Sequence, residues 1–277
     1  MKERAPDYKK NSKIRAALSR KNLKELWIKT GFIIGALAIW EVIARAGRVS
    51  STLFPPVSTI FIALWDNIKT GEILEHLSYS LYLIFIGIGI GIVLTFILTA
   101  FYMVYMPFAN IMDVVISIMH PLPGIALLPI IMLMVGLGAE AIIIVIVQSV
   151  IWPVMVNSIA GFRSIPVTQI ELGRNIGMSE FRLVWSVMIP NAFPHIFAGL
   201  KIAWSRSWRA LIGAEMIFGA TGLVGGLGWY IYKKRYFLEI PDVYAGLLVI
   251  VIIGVIVEEL VMKQVEKRTI VKWGVTV

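Results

Sequence analysis

Residues 78–105, SYSLYLIFIGIGIGIVLTFILTAFYMVY, run from Ser78 to Tyr105 without one charged side chain. A helix needs about 20 mostly apolar residues to cross about 30 Å of hydrocarbon, and this stretch exceeds that. Lipid offers no water to unpaired backbone groups, so a run of this length must be helical. Five further stretches qualify on the same grounds: Trp27–Ala46, Phe108–Gly136, Ala139–Gly161, His195–Ala220 and Val243–Met262. The pattern predicts an all-α polytopic membrane protein with six transmembrane helices. A basic arm (1–26) comes first, a six-helix domain (27–262) follows, and a short tail (263–277) ends the chain. Composition agrees, with 58% apolar and 16% charged residues among 277; soluble domains average about 45–50% and about 25%.

The net charge of +9 is no nucleic-acid signature, because the basic residues cluster beside the apolar runs. Ten of the 26 Lys and Arg lie between Lys2 and Lys29, as expected of an arm against anionic headgroups. With the amino terminus cytoplasmic, six crossings return the carboxyl terminus to the same side. That side then also collects Arg163, Arg174, Arg182, Lys263, Lys267, Arg268 and Lys272. The opposite side keeps Arg45, Arg48, Lys69 and the run Lys233–Lys234–Arg235. The bias places both termini in the cytoplasm, and the triple run is its exception. A cleavable signal peptide is not expected, since the first apolar run follows a long charged arm. The absence of cysteine excludes disulfides and thiolate metal sites.

Two stretches outside the spans carry pattern. Val57, Ile60, Phe61, Leu64, Trp65 and Ile68 recur at helical spacing after Pro55–Pro56, which predicts an amphipathic surface helix over 57–70. Residues 162–194 form the longest loop assigned to the cytoplasm. Within it a polar helix should run up to Gly177, where glycine permits a sharp turn. Ser179 then caps a second short helix with Glu180 in its first turn, and Pro190 should end that helix. The expected product is a bent helical knob that a motor domain can grip.

Here the chain resembles the permeases of binding-protein-dependent ABC importers. Their loop motif reads Glu-Ala-Ala, three residues, Gly, nine residues, aliphatic, one residue, aliphatic, Pro. Glu171, Gly177, Val187, Ile189 and Pro190 fill the matching positions, with Arg174 between. Leu172-Gly173 departs from the Ala-Ala pair, which bears on how the helix packs. The likeness covers about residues 30–265 and narrows to the sulfonate, taurine, nitrate and bicarbonate branch. Leu53-Phe54-Pro55-Pro56, the run from His120 to Pro129, Gly199-Leu200-Lys201, Ala214-Glu215 and the Gly-rich stretch Gly222 to Gly228 carry it. The resemblance implies a type I importer fold and a second permease copy. It also implies two ATPase subunits that bind ATP and Mg, and an extracytoplasmic solute-binding protein. The location would be a bacterial inner membrane. No cofactor is expected in this chain.

Inside the membrane, Pro121, Pro123 and Pro129 fall within one span. Freed carbonyls are tolerated where they line a cavity or pack against protein, so these prolines and His120 are candidate pathway residues; a kink that serves packing alone is the rival explanation. The fifth span holds Lys201, Arg206, Arg209 and Glu215. Lys201 can snorkel to the interface. Arg206 and Arg209 share a face, and a cation at mid-membrane costs at least about 2.5 kcal/mol without a partner or water. They are candidates to attract an anionic solute, and Glu215, which points to a different face, is a further candidate pathway residue; an ion pair of the arginines with another helix or a headgroup is the alternative. The Lys233–Arg235 run is a candidate dock for the binding protein.

Gly87, Gly89 and Gly91 lie in an apolar span and suit close helix packing. Trp204, Trp208 and Trp229 suit packing or interface anchoring. Gly222 to Gly228 lacks the Lys-Ser/Thr of a P-loop, so any ATP hydrolysis belongs to a separate subunit. An intramembrane enzyme would need a nucleophile–base set or metal spacing, and neither stands out. An ion-coupled carrier usually sets carboxylates at the midplane and uses inverted repeats; here the carboxylates noted in or near the spans are Glu140 and Glu215.

Overall fold

The computed structural model describes residues 8–47, 50, 53–218 and 225–269. The first seven residues, Arg48, Ala220, Gly222 and the tail beyond Thr269 lie outside them. The chain divides into two units, residues 1–63 and 64–277. Helices make up nearly all of it, and no strand occurs among the described residues.

In the first unit, α1 (Tyr8–Arg45) joins the basic arm and the first span in one helix. The chain then turns through Pro55 into α2 (Val57–Thr70). Glu41 fastens this turn: its carboxylate accepts from the Ser58 backbone N–H at 3.1 Å and the Ser58 hydroxyl at 2.8 Å. Arg45 bonds the same carboxylate, and the Trp40 indole donates to the Pro55 carbonyl. A carboxylate on the first N–H groups of a helix suits the positive end of its dipole.

The second unit is a bundle built around α6 (Ala139–Arg163), two-thirds of whose apolar window is buried. Against it pack α3 (Glu72–Val104) and α9 (Ile189–Phe218). Beyond the buried Leu83 and Ile84, the inward stripe of α3 is small or weakly polar as far as Thr99, with Gly87, Gly91, Thr95 and Thr99, whereas Phe85, Val93, Phe96 and Ile97 face outward. That inversion of the soluble pattern is what lipid favours: small residues let backbones approach, and bulky apolar ones meet the tails. A methyl on Gly87 would sit 2.5 Å from Ile146, and one on Gly91 2.7 Å from Val150. Gly89 meets nothing and takes no part, which corrects its expected packing role. Gly199 likewise lets α9 approach the Pro153 carbonyl on α6.

The third expected span is not one helix. It breaks into α4 (Met106–Met119) and a second leg, a 3-10 turn (Gly124–Leu127) leading into α5 (Leu128–Val135), bent by 94°. Among the described residues, five helices are long and apolar enough to cross a membrane, or six if the bent pair counts as one span. The two legs sit in different cores. Leu128 and Ile131 of α5 belong to the main one. Ala109 and Met112 of α4 join Tyr102, Met155 and Ile159 in a separate smaller one.

The remaining elements are α7 (Val167–Asn175), α8 (Glu180–Leu183), α10 (Leu227–Tyr236) and α11 (Ile240–Val255). A wide π-type turn (Ile256–Met262) follows α11 and leads into α12 (Lys263–Arg268). Lys201 of α9 pairs with Glu266 of α12 at 3.1 Å.

Candidate functional site

The segment between α6 and α9 folds as a hydrogen-bonded elbow. Gly177 ends α7 at φ +77°, in the left-handed region where glycine carries no Cβ penalty. The Met178 N–H reaches the Gly173 carbonyl at 3.0 Å and the Gly177 N–H reaches Arg174 at 2.9 Å. This pair of bonds is a Schellman stop. Ser179 then caps α8, its hydroxyl accepting the Arg182 N–H at 3.4 Å. Arg174 closes the outside of the bend with two bonds to Glu180, at 3.0 and 3.3 Å. Both side chains are exposed, so the pair orients the bend more than it stabilises it.

The departure from Ala-Ala falls where the tip of one side chain would meet an added methyl. Gly173 is buried, and a methyl there would lie 2.5 Å from the end of the buried Leu183 side chain. Leu172 and Ile176 point outward, as do Phe181 and Trp185, which lie ring against ring at 6.1 Å. Glu171 is exposed beside them.

Pro190 does not end the second helix, contrary to expectation. A π-type turn (Val184–Met188) widens the backbone just before it, and Ile189–Pro190 open α9, which continues to Phe218. The N–H that proline lacks is one a widened turn rearranges. The elbow's second arm and the span are therefore one rod, counted as a single helix from Glu180 to Ile217.

Within the membrane the three prolines also behave differently from expectation. Pro121 and Pro123 lie in the break rather than inside a helix, and Pro129 sits in the first turn of α5, where no donor is needed. His120 caps α4, and its carbonyl accepts from Arg206 of α9 at 2.8 Å. Arg206 is thus held at the negative end of a helix instead of standing free. Gln148 reaches toward the same break, donating to the Met119 carbonyl at 3.5 Å. The His120 Nδ1 is buried there with no partner.

Arg209, by contrast, is exposed and bonds its own helix, through the Ser205 carbonyl at 3.0 Å. It borders a groove of about 460 Å³ with Lys201, Ile202, Ser205 and Glu258. The structure therefore separates the two arginines that the spacing put on one face.

Glu215 is 1% exposed and occupied on all sides. Its carboxylate accepts from the Ser80 hydroxyl at 2.8 Å and from the Gly228 N–H at 2.9 Å. It anchors the start of α10 and lines no opening. Lys233 and Lys234 are also engaged: both contact Glu72, at 3.3 and 3.1 Å, and Lys234 contacts Glu239 at 2.9 Å. Of the triple run, Arg235 is left most exposed, which shrinks the expected dock.

The residues missed in the sequence are Gln148, Ser80, Tyr102 and the carboxylates Glu41, Asp113, Glu258 and Glu259, all inside apolar stretches. A polar residue isolated in such a stretch is itself the signal that finds them.

Comparison with known proteins bears on the same segments. Residues 87–271 match the family model described as binding-protein-dependent transport system inner membrane component. The taurine transport system permease protein TauC of Escherichia coli (strain K12) is 27% identical over 248 residues, covering 85% of this chain and 86% of TauC. The bicarbonate transport system permease protein CmpB of Synechococcus elongatus is 24% identical, covering 87% and 89%. Among solved structures, the crystal structure of an amino acid ABC transporter with histidines superposes with a TM-score of 0.55 at 16% identity. It covers 74% of this chain and 98% of that one, a likeness of fold.

Proposed function

This chain belongs to the family of binding-protein-dependent transport system inner membrane components, and from that premise we propose that it is the permease subunit of an ATP-driven importer of a small anionic solute. The substrate class is that of the relatives, a taurine- or bicarbonate-like anion. The observation that carries the reading is the elbow from Glu171 to Pro190. Its first arm, up to Gly177, lies outside the apolar spans yet presents Leu172 and Ile176 to its surroundings, and its second arm, at the head of the long helix Glu180–Ile217, adds Phe181 and Trp185. Exposed apolar side chains on a rigid projection mark a protein contact, and the contact proposed is a groove on the ATPase subunit that binds ATP and Mg.

Two copies of the chain enclose the path, and both termini face the cytoplasm. An extracytoplasmic solute-binding protein delivers the substrate to the opposite face. Closure of the paired ATPases pushes the elbows. Because α8 and α9 form one rod, that push passes into the membrane without a hinge at Pro190, and access alternates. Arg209 supplies the anion's counter-charge, since its guanidinium is exposed and can offer paired N–H donors.

The test is co-purification of the permease with its ATPase subunit. Leu172→Asp and Ile176→Asp should strip the ATPase from the complex while the permease still inserts. Retention of the ATPase by both variants would overturn the reading. For the anion site, Arg209→Gln should lower uptake of taurine or bicarbonate in vesicles; unchanged uptake of both would remove Arg209 from the path.

A further inference from the structure

Three side chains from three helices form one hydrogen-bonded chain at the elbow end of the bundle. Arg163 of α6 donates to the Tyr102 hydroxyl at 2.8 Å, and that hydroxyl donates to Asp113 of α4 at 2.7 Å. The guanidinium also lies 5.5 Å from the centre of the Tyr102 ring. A cation on one side and a carboxylate on the other give the hydroxyl a single direction, with charge assisting both bonds. Tyr102 is 4% exposed and belongs to the small core, so its ring is fixed and its hydroxyl cannot swing to another partner.

Position makes this chain more than a staple. Arg163 is the last residue of α6, and Ser164–Pro166 alone separate it from α7. On its α7 side, displacement of the elbow therefore reaches the bundle first at Arg163, while its α8 side leads into α9. At the far end stands α4, the leg of the broken span held in the small core and cut from α5 by the 94° bend. A leg attached through few contacts, with a break at its other end, is free to swing as a unit.

We propose that the Arg163–Tyr102–Asp113 chain is the tie through which elbow motion moves α4, with Tyr102 as the positioning residue. This rests on the elbow being the ATPase contact. The tie works as a link under load, not as a source of stability: Tyr102→Phe keeps the ring in the small core and removes only the hydroxyl between the charges.

The experiment exploits the absence of cysteine from the chain. In the complex with its ATPase, spin labels are placed singly through Ile111→Cys on α4 and Val167→Cys on the elbow. Each is paired with a reference label through Leu247→Cys on α11; all three positions are exposed. Distances are compared between ADP and a non-hydrolysable ATP analogue. Both labels should shift in the otherwise native chain. With Tyr102→Phe the elbow shift should remain while the α4 shift is lost, and Asp113→Asn should reproduce that loss. Equal α4 shifts with and without the hydroxyl would overturn the tie alone, as would an α4 label that never moves while the elbow does. An elbow label that ignores nucleotide would overturn both the tie and the coupling on which it rests. A drop in thermal midpoint for Tyr102→Phe, with both shifts reduced together, would mark a structural staple and overturn the tie.

Discussion

Glu215 shows how a carboxylate survives at membrane depth. Burial of a lone carboxylate costs many kcal/mol; here the Ser80 hydroxyl and the Gly228 N–H in the first turn of α10 converge on it. Ser80 in turn accepts from the Leu227 N–H at 2.8 Å. The fit demands glycine: a Cβ on Gly226 would sit 1.9 Å from the carboxylate oxygen, and one on Gly228 2.3 Å from the Ile212 carbonyl. Gly226→Ala should therefore lower stability by about 1–3 kcal/mol, the usual cost of overpacking, seen as an earlier thermal midpoint in detergent. Glu215→Ala should do at least as much, because it strands buried donors at about 1–3 kcal/mol each. Uptake normalised to folded protein should change little in either variant. Local spacing could not reveal this role. An acid in an apolar stretch reads as functional by default, and Ser80 stands 135 positions away.

At the scale of the element, Gly177 and Gly173 are not equivalent. Gly177 has a positive φ and open space around it, so an alanine there meets backbone strain of about 1–2 kcal/mol. Gly173 has ordinary geometry, and what a methyl would strike is the tip of Leu183, which can rotate. Gly177→Ala should weaken ATP-driven uptake and loosen ATPase binding by several-fold, while Gly173→Ala should stay near native; co-purification and uptake measured together check both. The elbow was legible because its stop, cap and glycine are all local signals, from Gly177 through Ser179 to Glu180. Its continuity through Pro190 was not, because a widened turn leaves no mark in residue type. The same limit applies to the broken span. Six apolar runs and a cluster of prolines stand in the sequence, but the 94° bend and the bond from Arg206 to the His120 carbonyl, 86 positions earlier, leave no local pattern. Arg206→Met should leave that carbonyl without its cation and reduce stability by about 1–3 kcal/mol, a change that salt should not reproduce.

Across the whole molecule, charged ties collect at the two ends of α3 and leave the middle to small-residue packing. One end holds Arg163, Tyr102 and Asp113. The other holds Glu72, Lys233, Lys234 and Glu239, with Asn67 bonded to Asp242 of α11 close by. Lys234 is the pivot of this second group, its side chain 12% exposed between two carboxylates. Burial pulls its pKa down, but the bonds to Glu239 and Glu72 more than offset that, so it lies above the ordinary lysine value. A raised lysine pKa means that folding favours the charged form. The stability it contributes is complete below the unfolded value of about 10.4 and fades only as pH climbs through the higher folded one. Lys234→Met should therefore cost about 1–2 kcal/mol, between an exposed pair and a sealed one, by the same amount at pH 6 as at pH 9. Thermal melts in detergent across that range check it. A penalty that already shrinks between pH 6 and 9 would mean that Lys234 loses its proton there, and that the clamp at this end is not the ion pair the geometry shows.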